Sequence, residues 1–297
     1  QTDQQEKNQP SIKDLNQKVQ NLQRKKDSIK DIIESLKDDQ QKYNSTDPDC
    51  KVMKSRQGSH ASYNVQVSTD DKHGLIVHAD VTNASNDINE LENQSQKADA
   101  NLGFTSEVLC ADAGYANAKQ AENLRAKKQI IVPSRKQASR KEAKDFDKSC
   151  FTYDKKEDVY ICPKGEKLHR SYYRPSKESY KYVTKGNPCK TCEHFGKCTA
   201  NKRGGRELNR LLYEGEVERM EASYEKPENK EIYRRRKFRA EIPFGHIKRN
   251  LRAGYMLLRT KQGANAEMSI LSSCYNITRM INLLGGTKNT IEALKAL

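Results

Sequence analysis

Apolar residues recur at alternating spacings of three and four near the start of the chain: Ile12, Leu15, Val19, Leu22, Ile29, Ile33, Leu36 and Tyr43. Lys26 and Gln40 fill the two remaining places of a heptad seam. The repeat predicts one helix over residues 11–43, suited to a helical hairpin arm or a coiled coil. Such an arm serves dimerisation or spans DNA; packing on its own domain satisfies the same pattern equally well. The run "STDPD" at 45–49 then breaks the helix with a proline.

The period next changes from helical to alternating. "YNVQVST" (63–69) and "GLIVHADVT" (74–82), joined by the turn-like "DDKHG", predict an antiparallel hairpin. Residues 86–103 predict a helix ending at a glycine. "EVLCAD" (107–112) predicts a buried strand, "NAKQAENLRAKK" a helix, and "QIIVPS" (129–134) a further strand. Hairpin, helix, strand, helix, strand is the order of a mixed α/β sheet with crossover helices. From about residue 134 to 206 the chain turns basic, tyrosine-rich and cysteine-bearing, with little periodicity, which indicates an insertion. Beyond it, residues 206–250 are expected to be mostly helical, and the apolar "AEMSILSSCYNITRMINLLGG" forms a last helix capped by glycines. The expected organisation is a helical arm at 1–45, an α/β domain begun at 46–134 and completed by helices at 207–297, and the insertion at 135–206.

Composition sharpens this picture. The 297 residues suffice for a sizeable core, yet only 34% are hydrophobic, 32% are charged, and there is no tryptophan. A compact core with polar extensions is expected. The net charge of +15 favours a polyanionic partner, most plausibly nucleic acid; general solubility is the alternative reading. No apolar run approaches the roughly 18–20 residues that span a bilayer. The expectation is a soluble, cytoplasmic, nucleoid-associated protein.

Of the eight cysteines, Cys162, Cys189, Cys192 and Cys198 are spaced C-x26-C-x2-C-x5-C, after the turn-like "CPKG". Four thiolates at such spacing suit a structural zinc ion, with His169 or His194 as substitutes for one of them. A reduced loop is the alternative. The tyrosines of "HRSYYRPSKESYKYVTK" could stack on bases, meet phosphates, or simply pack within the insertion.

Two acids stand out. Asp112 ends a buried strand, where open α/β sheets place their ligands, and Gly114 lets the backbone turn. Asp-Ala-Gly is also an ordinary turn. Glu241 belongs to the pattern Tyr233-x2-Arg236-x4-Glu241-x6-Lys248. Seven residues are nearly two helical turns, so Glu241 and Lys248 share a face, subject to a kink or restart at Pro243. An acid beside cations suits phosphate chemistry, the carboxylate holding a divalent metal and the cations the DNA backbone. A salt-bridged surface helix has the same residues.

"ADAGYAN", "YRRRKFRAEIPFGHIKR", "TDPD", "YNVQ" and the Asn86-Asp87 pair together resemble the DDE transposases of bacterial insertion sequences, in the IS-four-like superfamily. The resemblance runs from about residue 10 to 285. It implies a ribonuclease-H-like fold in which three acids bind two magnesium ions, nick DNA at a transposon end and join the freed 3′-hydroxyl to target DNA. It implies Asp112 as the second acid and Glu241 as the third, with Tyr233, Arg236 and Lys248 gripping DNA near the cut, and paired transposon ends imply at least a homodimer.

The first acid has no counterpart. Asp47 and Asp49 flank a proline in a loop, and Asp70 sits in the hairpin turn. With Gln1 rather than Met at its start, the chain is expected to lack the first strand and its aspartate, and to be inactive alone. Two other readings stay open: a non-catalytic DNA-binding remnant or regulator of transposition, and a zinc-ribbon nucleic-acid adaptor.

Overall fold

The computed structural model describes residues 11–36, 43–55, 58–139 and 145–296. It is a mixed α/β chain with helices and small, largely antiparallel sheets, divided into two compact units.

The first unit comprises Gln1–Asn64, Val81–Ser85 and Leu257–Ala264. Its helix α1 (Ile12–Ser35) starts at a capping box, in which Ser11 accepts from the Asp14 amide and Asp14 reaches back to Ser11. Ile12, Leu15, Val19, Leu22, Ile29 and Ile33 are all exposed, so the heptad seam is legible on the surface. The helix expected over 11–43 stops short, at Leu36, whose backbone is extended (φ −81°, ψ 128°); residues 37–42 lie outside the described residues. The stretch after "TDPD" forms an antiparallel hairpin that the sequence pattern did not announce, β1 (Lys51–Ser55) with β2 (Gly58–Ser62). Its residues lie mostly in solvent, so no buried alternation marked it.

"TDPD" also acquires a structural role. Asp47 accepts from the Tyr63 hydroxyl at 2.8 and 2.9 Å and from the Thr260 amide at 3.3 Å. Asp49 accepts from the Lys261 amide at 2.9 Å. These amides open helix α7 (Lys261–Leu283), so the two aspartates satisfy orphan donors at its positive end.

The second unit comprises Val65–Asp80, Asn86–Met256 and Asn265–Leu297. Strands β3 (Asn64–Thr69) and β4 (Ile76–Thr82) pair, as the alternation predicts. Asp70 shapes their turn by accepting from the His73 and Leu75 amides at 2.7 and 2.6 Å. Helix α2 (Leu91–Leu102) ends at Gly103 in the left-handed region, φ 73°. Strand β5 (Val108–Cys110), helix α3 (Ala118–Arg125) and strand β6 (Gln129–Ile131) form a crossover with β5 and β6 parallel. A short helix, α4 (Arg135–Ser139), follows. Leu91, Ala121, Leu124, Ile130 and Val132 pack into one core with Met220.

The cysteine-bearing stretch is an ordered antiparallel sheet of five strands in the order β11-β10-β9-β8-β7. These are β7 (Thr152–Asp154), β8 (Val159–Ile161), β9 (Lys167–Arg174), β10 (Ser179–Thr184) and β11 (Glu207–Leu211). The last of them lies where helix was expected; "ELNRL" alternates exposed and buried residues and completes the sheet edge. Its inner face carries Phe151, Tyr160, Leu168, Tyr182 and Leu208.

Helices α5 (Glu214–Glu225) and α6 (Pro227–Arg249) follow, then α7 and α8 (Thr287–Lys295). α6 runs through Pro243, which is buried inside it. Helices α6 and α7 grip the β3–β4 turn: Arg235 pairs with Asp71 at 2.7 Å, and Tyr275 donates to the Gly74 carbonyl at 3.0 Å. No described helix is long and apolar enough to cross a membrane.

Candidate active site

Strand β5 delivers Asp112. Its backbone is extended, and Oδ1 accepts from the Gly114 amide at 2.7 Å, capping the short 3-10 turn Ala113–Tyr115. The turn and the ligand readings are therefore compatible, since Oδ2 has no hydrogen bond among the described residues.

A second acid stands beside it. A Cβ placed on Gly114 would lie 2.8 Å from Asp112 Oδ1 and 3.3 Å from Asp87 Oδ2. The two carboxylates converge over the one residue that has no side chain to separate them. Asp87 is positioned by Gln66, which is only 1% exposed. Gln66 Nε2 donates to Asp87 Oδ1 at 2.6 Å, and Gln66 Oε1 accepts from the Tyr115 hydroxyl. Burial first, and then the charges of Asp87, Asp112 and Glu90, push the Tyr115 phenol above its ordinary range, so it remains a donor. Sequence reasoning assigned no role to Gln66 or Asp87. The available signals were their places in the quoted "YNVQ" and Asn86-Asp87 motifs and the polar side chain at the innermost position of β3.

Helix α6 packs against β5 and carries the other expected residues. Tyr233 is half-buried, edge-on to Tyr224 with ring centroids 5.1 Å apart. The Arg236 guanidinium lies 5.0 Å from the Tyr233 ring centroid, and its Nη2 is 3.5 Å from Glu241 Oε1. Arg236 is 18% exposed and Glu241 55%, so the cation is the fixed partner of this pair. Burial raises the Tyr233 phenol, opposed by Arg236 and reinforced by the nearby Asp112 and Cys110. The Cys110 thiol is pushed up to about 12, chiefly by burial, with Arg236 opposing. The packing of α6 on β5 thus brings Tyr233 and Arg236 within electrostatic reach of the strand that delivers Asp112. Lys248 lies further along α6 and is exposed.

The four cysteines form a separate constellation. Gly165 donates to the Cys162 carbonyl at 2.8 Å and Phe195 to the Cys192 carbonyl at 2.9 Å, so each of these cysteines opens a tight turn. Gly165 adopts φ 87°, which a glycine takes without strain. Cys162, Cys189, Cys192 and Cys198, with His194, line one cavity of about 40 Å³. The Arg206 amide donates to Cys189 Sγ at 3.3 Å. Burial raises the Cys198 thiol; Arg206 opposes this and the other three cysteines add to it. Among the described residues, no group of three or more His, Cys, Asp or Glu stands close enough to hold a metal ion as it is, here or around Asp112.

No curated protein and no solved structure matches this chain. Residues 161–281 match the family model described as a transposase DDE domain, a stretch that holds Tyr233, Arg236, Glu241, Lys248 and the four clustered cysteines. In that stretch the chain is similar to the DDE domain of the DNA-cutting and DNA-joining transposases.

Proposed function

We propose that the chain is the catalytic region of a bacterial insertion-sequence transposase with a ribonuclease-H-like DDE domain, acting on double-stranded DNA at transposon ends and target. The observation that carries this reading is the placement of Tyr233 and Arg236 against the strand that ends in Asp112, with Glu241 held by Arg236. The proposed domain organisation is that expected from the sequence, an arm at 1–45, a DDE domain at 46–134 and 207–297 and an insertion at 135–206, with β11 (Glu207–Leu211) adding the insertion's edge strand.

Magnesium ions, when bound, supply activation of an attacking oxygen and stabilisation of a leaving one. Hard carboxylate oxygens are the fitting donors, and Asp112 and Glu241 would hold the metal. Asp112 offers Oδ2, while its Oδ1 fixes the turn. Two carboxylates are an incomplete set for two ions, so the chain alone is expected to hold a divalent ion weakly and not to cut. Tyr233, Arg236 and Lys248 grip the DNA backbone. The Arg236–Glu241 ion pair also favours a second reading, a DNA-binding remnant or regulator in which Glu241 is neutralised by its neighbour.

Iron(II) substituted for magnesium, with ascorbate and peroxide, cuts polypeptide beside its ligands. Cuts near 112 and near 241, lost in Asp112→Asn and competed by magnesium, are expected. Cuts elsewhere, unchanged by that substitution, would sink the proposed metal site.

Cys162, Cys189, Cys192 and Cys198 are proposed as ligands of a structural zinc ion, since four soft thiolates on tight turns suit that metal. About one zinc per purified chain is expected, with a lowered melting temperature on chelation, as for other structural zinc sites. A metal-free protein whose four thiols all react freely at once would contradict it. The exposed seam of α1 is the proposed contact for a homodimer.

A further inference from the structure

The outer face of the five-stranded insertion sheet carries an aromatic and cationic cluster that the proposed active site does not use. Tyr172 on β9 is 50% exposed. The Arg174 guanidinium lies 5.5 Å from its ring centroid and donates to its hydroxyl at 3.2 Å. Lys181, from the neighbouring strand, places its ammonium 5.5 Å from the same ring. Both cations are braced, Lys181 by Glu207 at 2.7 Å and Arg174 by Asn209 at 3.4 Å. The apolar side chains of the sheet, Leu168, Tyr182 and Leu208, belong to the inner core. An outward sheet face needs only polar residues to be stable in water. Here it holds a half-open ring beside two cations already held in position, so little side-chain ordering remains to be done on binding.

We infer that this face binds single-stranded DNA, with a base stacked on Tyr172 and the adjoining phosphates on Arg174 and Lys181. An aromatic platform beside fixed cations is the chemistry that retains an unpaired strand; a duplex hides the base faces that stacking requires. The +15 charge of the chain supplies long-range attraction. The inference rests on the DNA-processing reading above, in which strand cleavage exposes unpaired ends.

The test is fluorescence anisotropy of the full chain with labelled oligo-dT and, separately, with a labelled duplex. Tyr172→Ala should weaken oligo-dT binding about tenfold or more, while Tyr172→Phe keeps it, because the ring and not the hydroxyl stacks. Duplex binding should be unchanged in both. Lys181→Gln should lower the salt slope for oligo-dT by about one counterion. Unaltered circular dichroism and melting of Tyr172→Ala exclude unfolding as the cause. Oligo-dT binding indifferent to Tyr172→Ala, with duplex binding intact, overturns this inference and leaves the transposase reading standing. A wild-type chain that binds neither DNA overturns both.

Discussion

Replacing Gln66 with leucine should lower the unfolding free energy by about 2–5 kcal/mol, because two polar partners lose their mate at once. Gln66 is 1% exposed and serves both Asp87 and Tyr115. Leucine fills the space but leaves the Asp87 carboxylate without its amide donor and the Tyr115 hydroxyl without its acceptor. Urea titration followed by far-ultraviolet circular dichroism reads the loss. Gln66→Glu distinguishes lost hydrogen bonds from lost shape. It sets a buried carboxylate against Asp87, which raises the pKa of the new group above its unfolded value of roughly 4.3. A raised carboxyl favours its protonated form in the fold, so this variant should gain stability as the pH falls through that raised pKa. A Gln66→Leu variant as stable as the parent would mean that the network holds nothing in place.

The second large effect is expected at Lys128, whose side chain is 2% exposed. Its ammonium pairs with Asp99 at 2.6 Å and donates to Ser106 Oγ at 2.8 Å. Asp99→Ala leaves that charge buried with one neutral partner and should cost about 3–5 kcal/mol. Lys128→Met should cost less, since Asp99 is 18% exposed and keeps its bonds from the Ser106 amide and hydroxyl. The double variant should be more stable than Asp99→Ala alone, because it removes the stranded cation. A double variant less stable than Asp99→Ala contradicts the argument. The pair also sets a pH dependence. Burial raises the Asp99 carboxyl, but the bonds from Lys128 and Ser106 outweigh it and hold the pKa below its ordinary 3.8. A depressed carboxyl contributes stability that is complete above the unfolded value and is lost as pH falls through the folded one. The Asp99 contribution should therefore persist to about pH 4 and vanish below it.

The sequence by itself determined the elements whose partners are close along the chain. The heptad spacing from Ile12 to Ile33, the β3–β4 hairpin with its Asp70 turn, and the β5–α3–β6 crossover all carry a period that depends only on local geometry. Asp112 and Glu241 were legible as candidates for the same reason, each through its own short motif. The solvent-exposed β1–β2 hairpin carries no buried period and was not legible; β11 does alternate, but over only five residues, and it settles as strand beside β10. The environment of the candidate site was decided by tertiary structure. That Asp87 meets Asp112 over Gly114, that Gln66 joins Asp87 to Tyr115, and that the helix carrying Arg236 and Glu241 packs on β5 are contacts between residues far apart in sequence. Local periodicity says which face of an element is buried, but not which distant polar group it will meet. Only packing brings those groups within hydrogen-bonding distance.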